Sequence, residues 1–493
     1  MVQRVRRLPE PKSGNPFIDT NAYTPWMCSM KQLVGMVMLL PIRMALNVLL
    51  FIPAMYCCVW LASRGWKPGK HLKPWQRFIM AHILRPIVRL WLLVVFGYWR
   101  ISVRGKRASA TDAPFTVIAP HSTVMDTWMF LLYTYGSMVS QREAANYPFV
   151  YRVALACEPI WVERSGGAGG GTRTASSTLE EMEKRLRLPG RWLPICVYPE
   201  GTRHNANAML GYKTGAFQPG LPVQPVLFKF NKPEDSIWPK GVISPNMSFI
   251  RAMSRPWATC DVEYLPVYLP SKEERDDAQL FALNVQNEMA KALTLPTTDF
   301  SLEDFHLTRK AMAAGLPRDA ALIEYNLINR LHNVRLPDLK VVLERFIQMN
   351  TSKSGVVSSN EFMVHLAWPI REHAVLLFKE YDTCSDGREE LRYREYVVGT
   401  LDLATKVPNA AQVVSDAFEA LSDGQDQLST TGILDAMHKR GFSDVSTDSV
   451  ERFLYKMSQS SDLSVSGFAS YVESNPDLNV LLFWFLHGTD ADF

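Results

Sequence analysis

Thirty residues of almost unbroken apolar sequence, LVGMVMLLPIRMALNVLLFIPAMYCCVWLA over positions 33–62, restrict this chain more than any other stretch of it. Arg43 is the single charge. The nineteen residues 44–62 carry none, and that length suffices to cross a hydrocarbon core of about 30 Å. The run is too long, and starts too far along the chain, for a cleaved leader. Pro41 and Pro53 interrupt it, so a hairpin that enters and leaves one leaflet stands beside a full span. Basic residues flank it evenly: Arg4, Arg6, Arg7, Lys12 and Lys31 precede it, and Arg64, Lys67, Lys70, Lys73 and Arg77 follow. Charge bias therefore sets no orientation. A second run, FIMAHILRPIVRLWLLVVFGYW over 78–99, carries Arg85 and Arg89. Charges within an apolar helix predict that it lies in the interface or packs on protein.

From residue 115 onward the pattern changes. FTVIA, RVALAC, LPICVY, VQPVLFKF and CDVEYLPVY read as strands, and TVMDTWMFLLYTYG, TASSTLEEMEKRLR and AQLFALNVQNEMAKAL have helical periodicity. Alternation of this kind predicts an α/β domain with its site at the strand ends. After about residue 295 the strands vanish, and helix pairs alternate with serine-rich turns. The resulting division is a membrane anchor with interfacial helices over 1–105, an α/β catalytic domain over 106–299 and an all-α domain over 300–493. A net charge of +4 with no Arg/Lys-rich stripe argues against nucleic acid. Seven scattered cysteines, without CxxC or Cys/His ligand spacing, suit a reducing compartment and a cytosolic face for the soluble part.

The chemistry begins at APHSTVMD. A strand ending at Ala119 and Pro120 delivers His121 to the first turn of a helix, and Asp126 lies one turn further in, within reach of the imidazole Nδ1. This is a base with an orienting partner. Taken alone, the pair reads more readily as a capping histidine and a surface aspartate. A second strand end, LPICVYPEGTR, places Glu200, Gly201, Thr202 and Arg203 together: a carboxylate and a guanidinium around a glycine that admits close backbone approach. The stretch EPIWVERSGGAGGGTR carries Arg164 ahead of a glycine-rich loop that lacks the GK[ST] ending of a nucleotide-binding loop.

In order, HSTVMD, VER, PEGTR and PVQPV resemble the four sequence blocks of the glycerolipid acyltransferase superfamily. Together with YKTGAFQPGLPVQPV, VEYLPVYLPSKEE and the C-terminal extension, they look most like the EF-hand-bearing lysophosphatidylcholine acyltransferases. The resemblance implies an acyl-CoA:lysophospholipid O-acyltransferase of the endoplasmic reticulum membrane, with Golgi or lipid-droplet association open. Its acceptor would be lysophosphatidylcholine or the ether analogue lyso-PAF. Acyl-CoA would be a co-substrate, no cofactor would be needed, and the partners would be the two substrates and the bilayer. The resemblance further implies His121 as base, Asp126 as its partner, and Glu200, Gly201 and Thr202 in the substrate pocket. Arg164 and Arg203 would then bind phosphate, and Pro225 would shape the wall. Tyr151 and Arg203 stand where relatives often carry glycine and cysteine, which leaves substrate preference open. Lysophosphatidic acid or glycerol 3-phosphate remains an alternative acceptor. A membrane-anchored EF-hand regulator with an inactive acyltransferase fold is the alternative of another class.

FIQMNTSKSGVVSSNEFMVHL has the helix, polar loop, glycine and helix order of an EF-hand. Asn350, Ser352, Ser354 and Glu361 occupy ligand positions, but Glu361 is the only carboxylate among them. Asp382 and Asp386 lead a second loop in which Leu391 and Glu395 arrive two positions late, unless the frame starts at Cys384. Calcium binding is accordingly expected to be weak or absent.

Overall fold

The computed structural model describes residues 11, 13–18, 30–67, 69–142, 146–162, 172–188, 191–230, 245–382, 389–404 and 407–489. Two compact units result, one spanning Lys12–Leu302 and the other made largely of Glu303–Phe493.

The first apolar run folds as the end of helix Met30–Met38 and then, after a turn at Leu39, as a continuous helix, Leu40–Ser63, along which a second helix, Pro74–Phe96, packs antiparallel. Both are long and apolar enough to cross a membrane. Proline lacks an N–H and its ring collides with the carbonyl four residues back. Wider π-type turns at Asn47–Phe51 and Ile79–Leu84 precede Pro53 and Pro86, and they absorb the mismatch so that each helix continues. The chain thus reverses between the two helices and not at the prolines of the first.

Charges within these helices meet protein carbonyls. Arg43 is buried; its Nη1 donates to the carbonyls of Met253, at 2.6 Å, and Arg255, and its Nη2 to that of Pro256 at 3.4 Å. Those acceptors lie at the end of helix Pro245–Ser254, where carbonyls lack intrahelical partners. Arg85 donates to the carbonyl of Leu132, and Arg89 to that of Tyr98 at 2.8 Å. The second helix therefore packs on protein along its buried Met80, Leu84, Val88, Trp91 and Val95. Leu49, Phe78 and Leu90 are more than half exposed on the pair.

A seven-stranded sheet follows, in the order β1-β7-β6-β2-β5-β3-β4. The strands are β1 Tyr98–Arg104, β2 Phe115–Ala119, β3 Ser137–Gln141, β4 Ile160–Val162, β5 Ile195–Val197, β6 Val223–Phe230 and β7 Ala258–Tyr264. β2 runs parallel to both β5 and β6, and β7 is antiparallel to β6. β2 is buried throughout. Phe115, Val117 and Ala119 pack on one face with Phe281, Val285 and Met289 of helix Ala278–Leu293. Ile118 packs on the other with Val88, Met125 and Met129. Helices on both faces of a mostly parallel sheet produce three layers, and the C-terminal ends of β2 and β5 open side by side.

Four expected strands are present as β2, β5, β6 and β7, but RVALAC is not a strand. It falls mostly in helix Pro148–Leu155, which starts at a proline whose fixed φ suits the first helical turn. β1, β3 and β4 were not anticipated. β1 belongs to the sheet although residues 98–104 fall in the segment read as membrane anchor. It leaves helix Pro74–Phe96 through Gly97, at φ +73°, where a Cβ would come within 2.9 Å of the Pro256 carbonyl.

The second unit is helical. Helix Leu336–Met349 leads through β8 Val356–Ser358 to helix Ser359–Leu366, and helix Arg371–Tyr381 leads to β9 Glu390–Arg392 and helix Tyr393–Ala404. β8 and β9 pair antiparallel with Val357 opposite Leu391. Helices Ala410–Ser422 and Thr430–Lys439 form a corresponding pair with Thr447–Ser458 and Val465–Ser474, bridged at Gln427 and Ser464. A residue at the start of the second helix recurs three positions before its partner: Ser358 and Glu361, Arg392 and Glu395, Ser429 and Gly432, Ser464 and Gly467. The last two segments thus end in glycine where the first two carry glutamate. The final apolar helix, Asp477–His487, is buried, and Asp477 accepts from the hydroxyls of Tyr381 at 2.6 Å and Tyr396 at 2.7 Å.

Candidate active site

β2 ends at Ala119, and two residues later His121 turns toward the following helix, Asp126–Met129. Its Nδ1 lies 2.8 Å from Asp126 Oδ2, which also accepts the backbone N–H groups of Ser122 at 2.8 Å and Thr123 at 3.0 Å. Three donors on one oxygen fix the carboxylate. A carboxylate can only accept, so Nδ1 carries the imidazole proton and Nε2 keeps its lone pair. Among the described residues no serine, threonine or cysteine side chain bonds to that nitrogen. Asp126 is fully buried, while the His121 side chain is 16% exposed, which leaves an edge open for a substrate.

The loop after β5 closes on the other side of His121. Glu200 is fully buried; its Oε2 accepts the backbone N–H of His121 at 2.7 Å, and its Oε1 accepts that of Leu210 at 3.3 Å. His204 Nε2 stands 2.9 Å from the same Oε1, and the His204 N–H donates to the His121 carbonyl at 3.0 Å. His204 Nδ1 accepts from Ala206 N at 3.2 Å, which leaves the proton on Nε2, facing Glu200. Glu200 therefore ties the histidine loop to the segment that carries Leu210. Its oxygens accept backbone N–H groups from the residue that carries the imidazole and from Leu210. Tyr198 stacks on the imidazole with ring centroids 4.2 Å apart and planes 28° from parallel, and its hydroxyl donates to the Asp126 carbonyl at 3.1 Å.

Burial is the main cause that lowers the His121 pKa below its ordinary 6.5, and the charge of Arg203 acts in the same direction. The hydrogen bond and charge of Asp126 oppose them, as does the charge of Glu200. The net direction leaves the imidazole neutral at pH 7, the form a general base requires. Arg203 is itself pushed below the usual guanidinium range by burial, while the nearby charge of Asp126 pulls it back.

Gly201 sits at φ +67° beside the stem of Lys213, a conformation that an L side chain rarely adopts. Thr202 and Arg203 are half-buried on the same loop. The structure thus brings His121, Asp126, Glu200, Gly201, Thr202 and Arg203 to adjoining strand ends. Pro225 does not join them. It sits inside β6 opposite Val117, four residues before His121, and is buried in the sheet. Arg164 and Asp386 lie outside the described residues. Asn350, Ser352, Ser354 and Glu361 do converge in their loop, but on one another: Asn350 Oδ1 accepts from Gly355 N at 3.0 Å. Glu361 accepts the backbone N–H of Ser352 at 2.8 Å and of Ser358 at 3.0 Å. Burial pushes the Glu361 pKa upward, but these hydrogen bonds outweigh it and hold the carboxyl at about 2. Asp382 ends helix Arg371–Tyr381. Among the described residues no three His, Cys, Asp or Glu side chains converge as metal ligands. Tyr198 and His204 escaped the sequence reading, although the PEGTR motif they flank was the signal that could have drawn attention to them.

A neutral imidazole with its Nδ1 proton engaged, and no protein nucleophile on Nε2, is placed to activate a group that a substrate brings. Such an arrangement suits direct attack by a substrate hydroxyl, and residues 100–229 match the family model described as Acyltransferase. Lysophosphatidylcholine acyltransferase 2B of Rattus norvegicus is 30% identical over 452 residues, covering 90% of this chain and 85% of that protein. Lysophosphatidylcholine acyltransferase 2 of Homo sapiens is 29% identical over 489 residues, covering 97% and 86%. The chain belongs to the lysophosphatidylcholine acyltransferase family. A solved structure, the 1-acyl-sn-glycerophosphate acyltransferase PlsC from Thermotoga maritima, matches with 16% identity and a TM-score of 0.36 over 52% of this chain and 97% of that one.

Proposed function

We propose that this protein transfers an acyl group from acyl-CoA to the free hydroxyl of a lysophospholipid, lysophosphatidylcholine or its ether analogue lyso-PAF, at the cytosolic face of an endoplasmic reticulum membrane. The observation that carries the proposal is the 2.8 Å contact of His121 with buried Asp126 at a parallel strand end. Nε2 takes the proton of the lysolipid hydroxyl as its oxygen attacks the thioester carbonyl, and Asp126 stabilises the imidazolium. Collapse of the tetrahedral intermediate breaks the C–S bond, and the CoA thiolate takes the proton back. The ester and free CoA leave, and the histidine is restored. The exposed apolar faces of helices Leu40–Ser63 and Pro74–Phe96 support membrane access, because both substrates carry acyl chains that partition into lipid. The deciding experiment is a panel of acyl-CoA donors against lysolipids of differing headgroup in detergent micelles. Turnover confined to lysophosphatidic acid or glycerol 3-phosphate would replace the acceptor, and no transfer to any acceptor would sink the reading.

Arg203 and Arg164 are proposed to meet phosphate of the lysolipid or of CoA. Arg203→Lys keeps a charge but loses the two-pronged contact, so KM for one substrate is expected to rise by about tenfold with the fold retained. Unchanged KM for both donor and lysolipid would exclude Arg203 from phosphate binding.

Calcium is proposed to bind weakly or not at all. A cation at the loop of Asn350 and Glu361 would have to displace the internal hydrogen bonds described above, with one carboxylate to repay the loss. Calorimetric titration of the full chain in micelles is expected to give no micromolar binding, and activity in excess calcium should match that in chelator. Micromolar affinity with a several-fold change in rate would reverse this view.

A further inference from the structure

We propose that Tyr198 is the positioning residue that holds both members of the His–Asp pair in register, through a ring stacked on His121 and a hydroxyl bonded to the main chain of Asp126. This inference rests on the acyl-transfer reading of the site and assigns a residue to it.

Tyr198 follows β5 directly, at the turn where Gly201 N donates to the Tyr198 carbonyl at 3.1 Å. The residue is therefore anchored at its backbone by the strand and the turn. At 4.2 Å and 28°, its ring covers one face of the imidazole. The Nδ1 contact alone is a single point about which the imidazole ring can tilt. A stacked ring removes that freedom and leaves Nε2 directed along one plane. The hydroxyl adds the second constraint. It donates to the Asp126 carbonyl and not to the carboxylate, so it fixes the start of helix Asp126–Met129 without competing for Oδ2. One side chain from the loop after β5 thereby touches both members of the dyad on the loop after β2. Burial raises the phenol pKa well above its ordinary value, with the charge of Asp126 adding to the effect, so the group stays neutral and acts as a donor throughout the working pH range.

The groups facing His121 are Asp126, Glu200, Arg203, His204 and Tyr198. Of these, Tyr198 contributes by covering the ring, and covering favours the neutral imidazole. Removing the ring admits water and returns the His121 pKa upward toward 6.5. The acidic limb of the pH–rate profile should move to higher pH.

Three variants of the full chain in micelles separate the two contacts. Tyr198→Leu loses both and is expected to lower kcat by about 10²-fold, the effect of a misplaced base, with KM within about twofold and the acidic limb moved upward. Tyr198→Phe keeps the stack, so its limb should stay at the parental pH while kcat falls only a few-fold. Tyr198→Trp should restore much of what Leu loses. Parental kcat and limb in Tyr198→Leu would overturn the proposal, and so would equal losses in all three variants, which mark simple packing. The His121 Cε1–H NMR titration, assigned with His121→Ala, reads the same shift without any substrate. It therefore distinguishes failure of the Tyr198 assignment from failure of the acyl-transfer reading.

Discussion

Replacing His121 by alanine is expected to lower acyl transfer by about 10²- to 10⁴-fold, the range general-base catalysis contributes, without unfolding the protein. The main-chain N–H and carbonyl of residue 121 keep their bonds to Glu200 and His204 in the variant. Only the imidazole, with its contacts to Asp126 and Tyr198, is lost. Steady-state turnover together with a circular-dichroism melt checks both halves, and an alanine variant with parental turnover would remove the base from the mechanism. The pH dependence follows in sign. A base whose pKa is held below 6.5 is neutral above that lowered value and becomes inactive as it protonates below it. The parental acidic limb should accordingly lie below pH 6.5, and a limb above it would contradict the assignment.

Asp126→Asn is the second large effect. A neutral amide would present either its N–H₂ or its carbonyl to three donors that now share one oxygen. The backbone N–H groups of Ser122 and Thr123 select the carbonyl oxygen for the position that His121 Nδ1 also faces, and the amide nitrogen takes the place of Oδ1. Nδ1 can still donate to that oxygen, but the negative charge that stabilises the imidazolium formed during proton transfer is gone. A fall in kcat of up to about 10⁴-fold is expected, the upper bound set by the same substitution in serine protease triads, with KM largely retained. A loss of less than tenfold would show that Asp126 only caps its helix.

The dyad was legible because its geometry is local. Five positions between a strand end and the first helical turn bring two side chains together whatever the rest of the fold does. FTVIA and VQPVLFKF were legible as strands because β-branched and aromatic residues bounded by turns have few other uses. RVALAC misled because a short apolar run with alanines suits a buried helix as well as a strand. β1 was missed because YWRISVR is an edge strand, with Arg100 exposed and the run abutting an apolar helix. The backbone partners of Glu200 could not be read either. A carboxylate beside glycine and arginine suggests a ligand, and only the fold reveals that its oxygens also accept the backbone N–H groups of Leu210 and His121. Pro225 was placed in the site by resemblance, but the register of β6 against β2 puts it level with Val117.

The clamp of Arg43 on the carbonyls of Met253, Arg255 and Pro256 makes the first apolar helix a structural member of the unit that bears the dyad. A shortened chain starting after residue 63, the obvious route to a soluble enzyme, would strip that guanidinium from a helix end immediately ahead of β7. It would also remove Asn47, whose Oδ1 accepts from Trp91 Nε1 of the remaining helix at 2.8 Å. Detergent would then have to replace a missing wall as well as a missing anchor. Protein chemists seeking the active domain should keep the leading helix, because the catalytic unit and its attachment were not built as separable parts.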